Sequence, residues 1–178
     1  MNDRKIIFIG GIHAVGKGMF CKELAQKFNF EHLSASQVLK WNEISDPKNK
    51  KVQNFTTTQD RLLTNLDRII KSNKKYLLDG HFTLLNSNGE PEKIDESTFI
   101  GIQPESIILL TCEPKIIFER LKQRDDSIYK LSVLEKMQQM EAEHANYISK
   151  KLKIPLYTVI DGNAGSIIEY LKNYENTN

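Results

Sequence analysis

The stretch IFIGGIHAVGKGMF, residues 7–20, constrains this chain more than any other. It opens within the β-branched run KIIFIG (5–10), which ends on a glycine pair as a buried parallel strand does. The spacing G-x-x-x-x-G-K follows, kept by Gly11, Gly16 and Lys17. Directly after it, Phe20, Leu24 and Phe28 recur at helical spacing. A strand, a glycine-rich turn and a helix in that order make a phosphate cradle. The glycines let backbone N–H groups converge on phosphate oxygens, and the helix N-terminus adds favourable positive potential. Lys17 then reaches the β- and γ-phosphates of a nucleotide and stabilises charge during transfer. The hydroxyl usual after the lysine is missing, for Gly18 and Met19 stand there. His13 fills a variable loop position and reads as a passive side chain rather than a general base.

The rest of the chain alternates in the same way. KYLLDG, SIILLTC (106–112) and PLYTVID (155–161) are compact apolar runs, and HLSASQVLKWNEI reads as a short strand entering a helix at about Ser34–Ser36. A helix is expected over TTTQDRLLTNLDRIIKSN, with hydroxyl N-cap candidates and Leu62 or Leu63, Leu66, Ile69 and Ile70 on one face. PKIIFERLKQR has Pro114 in its first turn, and GSIIEYLKNY closes the chain. A long helix around 131–152 carries Leu134, Met137, Ala145, Ile148 and Leu152 on one stripe. Turn chemistry at Asn88–Gly89 and Pro91 suits a hairpin or a loop excursion. SDPKNKK (45–51) reads as loop. Apolar strands alternating with helices imply a parallel sheet covered on both faces. The expected fold is a single three-layer α/β/α sandwich on a five-stranded parallel sheet.

A length of 178 residues suits one domain with one sizeable core. The net charge of +2 gives no argument for nucleic acid or an anionic membrane. KNKK (48–51), without interleaved aromatics, reads as a solvated loop. Cys21 and Cys112 form no CxxC pair and read as buried, reduced thiols. The apolar run before the first glycines is too short for a signal peptide's hydrophobic region or a membrane span. A cytoplasmic location with no membrane or nucleic-acid partner is therefore expected, while oligomeric state is not legible.

Six segments spread along the chain resemble the P-loop nucleoside monophosphate kinases. GGIHAVGKGMF is similar to the adenylate kinase loop, where the residue after the lysine is commonly Gly and the next Thr, so Met19 is the departure. HLSASQVLKW resembles the monophosphate-binding segment I-S-T-G-D-x-L-R through Ser34 and Leu39. Lys40 stands where that segment has its phosphate-binding Arg, and Ala35 replaces its base-contacting Thr. LLDGHFT matches L-L-D-G-F-P-R-T only through Asp79 and Gly80, and fits better the D-x-H of archaeal-type and nuclear adenylate kinases as Asp79 and His81. TQDRLLTNLDRII looks like the E-D-R-[VL]-x-x-x-L helix of that branch, and IIFERLKQRDD like its E-R-L-x-x-R helix leading into a short lid. VIDGNAGSIIEYL is similar to the closing V-D-G segment that passes beside adenine.

This resemblance implies a P-loop NTPase fold spanning residues 1–178, an acceptor region at about 34–73 and a lid at about 124–133. It implies an ATP- and Mg²⁺-dependent kinase converting ATP and a nucleoside monophosphate to the two diphosphates. ATP would rest on Gly11, His13, Ala14, Val15, Gly16, Lys17, Gly18 and Met19, with Arg120, Gly162 and Asn163 completing its site. Ser34, Lys40, Asp79 and His81 would hold the acceptor, and Lys17, Arg124 and Asp79 would carry the transfer. Asp79, at a strand's C-terminal end, either holds Mg²⁺ through water or orients the acceptor, against the plainer reading of a turn cap. His81 is equally readable as a phosphate contact or a polar turn residue. Arg120 and Arg124 share a helix face and suit phosphate oxygens, or pair with Glu119 and Asp125. Glu141 interrupts an apolar stripe and needs a partner, either a lid arginine or water. Trp41 lines the acceptor pocket or simply packs. Two other readings stay open: a P-loop kinase of another small molecule, motivated by Ala35 and the absent arginine, and a nucleotide-binding or weakly ATPase regulatory module, motivated by Met19.

Overall fold

The computed structural model describes residues 4–39, 55–124 and 129–177. Lys40, Trp41 and the KNKK run lie outside them, as do residues 125–128 of the expected lid. The elements run β1 (Lys5–Gly10), α1 (Lys17–Lys27), β2 (Phe30–Ser34), α2 (Ala35–Leu39), α3 (Phe55–Ile69) and β3 (Lys75–Asp79). They continue with β4 (Thr83–Leu85), β5 (Pro91–Lys93), α4 (Glu96–Ile102), β6 (Ser106–Thr111) and α5 (Pro114–Arg124). The long α6 (Leu131–Leu152), β7 (Leu156–Ile160), a 3₁₀ turn (Ala164–Ile167) and α7 (Ile168–Asn176) complete the fold.

The main sheet has five parallel strands in the order β2-β3-β1-β6-β7. Its centre is β1, where Ile9 lies opposite Asp79 of β3 on one side and Ile108 of β6 on the other. Because successive side chains point to opposite faces, β1 supplies both cores at once. Ile7 and Ile9 join Phe20, Leu24, Ile117, Leu121 and Leu171 from α1, α5 and α7. Ile6 and Phe8 join Leu62, Leu66, Phe99 and Ile102 from α3 and α4. This burial on both faces is why the strands read as unbroken apolar runs rather than as alternating ones. The helix α6 gives Leu134 and Met137 to the first core and Ala145 and Ile148 to the second, with Glu141 between the two sets.

One expectation changes, one alternative is settled and one helix is added. On α3 the buried face follows Thr58, Leu62 and Leu66 at i, i+4, i+8, so Ile69 is off the stripe and 39 % exposed. The turn at Asn88–Gly89 joins β4 and β5 into an antiparallel hairpin, with Gly89 at φ 77° and Asn86 Oδ1 accepting the Asn88 and Glu90 amides. The helix α4 has no periodic sequence signal of its own; Asp95 caps it by accepting the Ser97 amide at 2.8 Å.

Candidate functional site

The phosphate loop leaves the C-terminal end of β1 at the middle of the sheet. Gly11 (φ 143°) is required by both conformation and space, since a Cβ there would lie 2.8 Å from the Leu110 carbonyl and 2.9 Å from Val15. Gly16 also takes a positive φ, and nothing stands within 4 Å of where its Cβ, or that of Gly18, would be. The mouth of the loop is thus open where a phosphate would approach backbone N–H groups. Lys17 is buried, with its ammonium donating to the carbonyls of Gly11 at 2.6 Å and Ile12 at 3.1 Å. On the outer side, Arg120 of α5 donates to the carbonyls of Ala14 at 3.2 Å and Val15 at 3.3 Å, joining α5 to the loop. Met19 is 69 % exposed. Its side chain makes no part of the core, so replacing a hydroxyl there costs the fold nothing.

Parallel strands bring their C-terminal residues to one edge, and this edge collects the polar residues. Alternation along β2 puts His32 and Ser34 on one face, and the register sets Ser34 opposite Asp79. His32 Nε2 lies 2.5 Å from Asp79 Oδ2, and the Ser34 hydroxyl donates to Asp79 Oδ1 at 3.3 Å. Cys21, on α1, completes a sulfur, nitrogen and oxygen set within 4.8 Å of one another. Burial, and then the Asp79 charge, push the Cys21 thiol far up, so it sits beside the His–Asp pair as a neutral thiol. Asp79 itself is a hard oxygen donor at the edge beside the loop, a group suited to Mg²⁺ held through water.

Beside Asp79 opens a cavity of about 230 Å³. Phe8, Leu62, Phe99 and Ile102 make its depth, and Ser34, Ser36, Thr58, Gln59, Asp79 and His81 its polar wall. His13 belongs to this wall as well as to the phosphate loop, and its ring lies 4.2 Å from that of His81. His13 therefore faces this cavity, which the reading of it as a passive loop residue did not anticipate. Thr98 also lines the cavity, with a buried hydroxyl that has no protein partner among the described residues.

Of the residues expected from the sequence, the loop residues 11–19, Ser34, Asp79 and His81 are brought together along one edge. Arg124 ends α5 one turn beyond Arg120 and is exposed. Gly162 and Asn163 follow β7 at the far side of the sheet, where Asn163 Oδ1 accepts the Gly165 amide and starts the 3₁₀ turn. Lys40 lies outside the described residues. Glu141, expected to need a lid arginine or water, is 0% exposed and finds its partners in two loops among the described residues. It accepts the amides of Gly11, Phe82 and Thr83 and the Thr83 hydroxyl. Sequence reasoning missed His32, whose signal is its i, i+2 relation to Ser34.

The edge so built, with a glycine loop leading from β1 into α1 and a cavity beside it, defines a P-loop protein. The family model described as an AAA domain matches residues 10–138, and the chain belongs to that family. Its curated relatives are adenylate kinases and a UMP-CMP kinase, which supports the adenylate kinase-like superfamily of P-loop nucleoside monophosphate kinases. A Methanocaldococcus jannaschii protein provisionally named adenylate kinase is 27% identical over 118 residues, 66% of this chain and 58% of the relative. UMP-CMP kinase 1 of Oryza sativa subsp. japonica is 25% identical over 129 residues, 67% of this chain and 51% of the relative. The chain thus spans between half and three-fifths of these relatives' lengths. A sugar kinase from Janibacter sp. HTCC2649 shares the fold, with a TM-score of 0.62, 10% identity and coverage of 96% of this chain and 94% of that one. Among the described residues no helix is long and apolar enough to cross a membrane.

Proposed function

We propose that the chain is an ATP-dependent phosphotransferase of adenylate kinase type, moving the γ-phosphoryl group of ATP to a nucleoside monophosphate. The observation that carries this reading is the cavity beside Asp79, which shares His13 with the phosphate loop and so offers room for an acceptor next to a nucleotide on that loop. The loop amides and the α1 N-terminus bind the β- and γ-phosphates, and Lys17 exchanges its carbonyl partners for phosphate oxygens. Arg120, and Arg124 one turn on, balance charge on the outer side. An acceptor oxygen attacks the γ-phosphorus in line, the bond to the β–γ bridging oxygen breaks, and ADP leaves with the electron pair. Positioning and charge stabilisation do the work, with no covalent intermediate. Asp79 would hold Mg²⁺ through water, and the ion would supply neutralisation of the charge on the transferring phosphoryl group. The expected lid at about 124–133 excludes water and so suppresses simple ATP hydrolysis.

One observation favours a second reading. Among the described residues the cavity wall is hydrocarbon, neutral hydroxyl, amide and imidazole groups and a single carboxylate, Asp79. Such a wall also suits an acceptor presenting a hydroxyl, whose proton Asp79 would take. A coupled assay with ATP against nucleoside monophosphates, nucleosides and sugars separates the two. Turnover with a monophosphate supports the first reading and turnover restricted to hydroxyl acceptors the second. ATP binding without acceptor-dependent turnover overturns both in favour of a nucleotide-binding module.

A further inference from the structure

Glu141 stands in the middle of α6 and is 0% exposed. Both of its oxygens are saturated. Oε1 accepts the Gly11 and Phe82 amides, each at 2.9 Å, and Oε2 accepts the Thr83 amide and hydroxyl, each at 2.7 Å. Gly11 opens the phosphate loop, whereas Phe82 and Thr83 end the turn that begins at Asp79. All four contacts are donors, so an ionised carboxylate meets every one and a side-chain amide meets only those facing its single oxygen. Burial pushes this carboxyl up, and the Thr83, Phe82 and Gly11 donors with the Lys17 charge pull it back. A charge placed this deep is costly unless it is fully bonded. Here its bonds go to two loops that are 130 and 58 residues away in the chain.

The same two loops touch elsewhere. The Gly80 amide donates to the Ile9 carbonyl at 3.0 Å. The Phe82 ring fills the space beside Gly10, and the His13 ring meets that of His81. Glu141 differs from these contacts in bonding both loops from a third element, α6.

We propose that Glu141 is a positioning residue that couples the two ligand sites. It holds the phosphate loop and the Asp79–Thr83 turn at a fixed separation, so nucleotide on the loop is felt at the acceptor side. The nucleotide half of this proposal rests on the phosphotransfer reading above; the link between the loops does not.

Amide hydrogen exchange on the full chain tests both halves, using wild type, Glu141→Gln and Thr83→Val. Without ligand, the Gly11, Phe82 and Thr83 amides exchange slowly in the wild type. In Glu141→Gln the amides left facing the new NH2 group, either Gly11 with Phe82 or Thr83, lose their acceptor and speed up by roughly tenfold or more, while core amides of β1 and β3 keep their rates. Thr83→Val removes one donor and leaves Gly11 and Phe82 slow. With the non-hydrolysable analogue AMP-PNP, protection in the wild type spreads from residues 10–19 to 79–85, and in Glu141→Gln it stays at 10–19. Unchanged amides in Glu141→Gln, an equal rise across the whole chain, or protection that still reaches 79–85 overturns the proposal. Failure of the wild type to bind AMP-PNP overturns the phosphotransferase reading and the nucleotide half with it, while the ligand-free comparison still decides the link.

Discussion

His32 and Asp79, from neighbouring strands and 47 residues apart, meet with Nε2 2.5 Å from Oδ2 at the edge where the phosphate loop begins. The imidazole takes one carboxylate oxygen and the Ser34 hydroxyl the other, so the orientation of Asp79 is decided by β2. A carboxylate set in this way presents a defined lone pair to the cavity or to water on a metal.

Removing Asp79 and removing its holder should therefore differ in degree. Asp79→Asn is expected to lower kcat by about 100-fold or more, the scale of a lost acid–base or charge-placing group. His32→Ala leaves the carboxylate in place but loosened, with an expected loss of roughly tenfold in kcat. Steady-state kinetics on both variants checks the ordering, and equal losses would show that His32 does more than position.

Packing at the root of the loop gives a stability test. A Cβ on Gly10 would lie 2.4 Å and 2.7 Å from two atoms of the Phe82 ring. That ring is stacked on Phe99 at 4.8 Å and set edge-on to Phe8 at 5.1 Å, so it has nowhere to move. Gly10→Ala is expected to cost about 1–3 kcal/mol through overpacking. Thermal unfolding should show a fall in Tm of several degrees, and an unchanged Tm would mean that the ring yields.

The buried strands and the glycine loop were legible because their signals are local. Four consecutive, mostly β-branched apolar residues between Lys5 and a glycine pair read as a short strand buried on both faces, and the loop spacing is contiguous. Asp79 was legible through its position at a strand's end, and Ser34 through the resemblance to the monophosphate-binding segment. Glu141 announced itself as a carboxylate on an apolar stripe, but its partners are backbone amides, which have no residue type to recognise. His32 was overlooked because its importance lies in strand register, a property of two strands together. The helix α4 is short and carries buried Thr98, Phe99 and Ile102 without a repeating pattern, so tertiary packing rather than periodicity defines it.

Met19 tests how much the absent hydroxyl matters. Because its side chain is exposed, Met19→Thr should leave stability unchanged. A new hydrogen bond to a charged phosphate is worth about 1.5 kcal/mol, so ATP should bind roughly tenfold more tightly. Titration calorimetry on both forms checks this, and equal affinities would place residue 19 outside the nucleotide site.

His144 predicts a pH dependence. It is buried against Phe82 and Phe99, and its Nε2–H donates to the Ile94 carbonyl at 2.7 Å. Burial lowers its pKa from the ordinary 6.5, against the Ile94 bond and nearby Glu96 and Asp95, with Lys93 adding to the fall. Below pH 6.5 the unfolded chain binds a proton at this residue that the fold resists, so stability is complete above that pH and declines as pH falls through the folded value. The Tm should drop over this range, and His144→Gln, which keeps a donor for Ile94, should flatten that part of the profile. An identical profile in the variant would assign the dependence to other groups.

The central claim is that this edge transfers phosphate from ATP, and ADP release in a coupled assay tests it most directly. Wild-type protein with ATP should form ADP in proportion to an added nucleoside monophosphate, and Lys17→Ala should lose that turnover almost wholly while staying folded. Acceptor-independent ADP release by the wild type, or near-normal turnover in Lys17→Ala, would contradict the account.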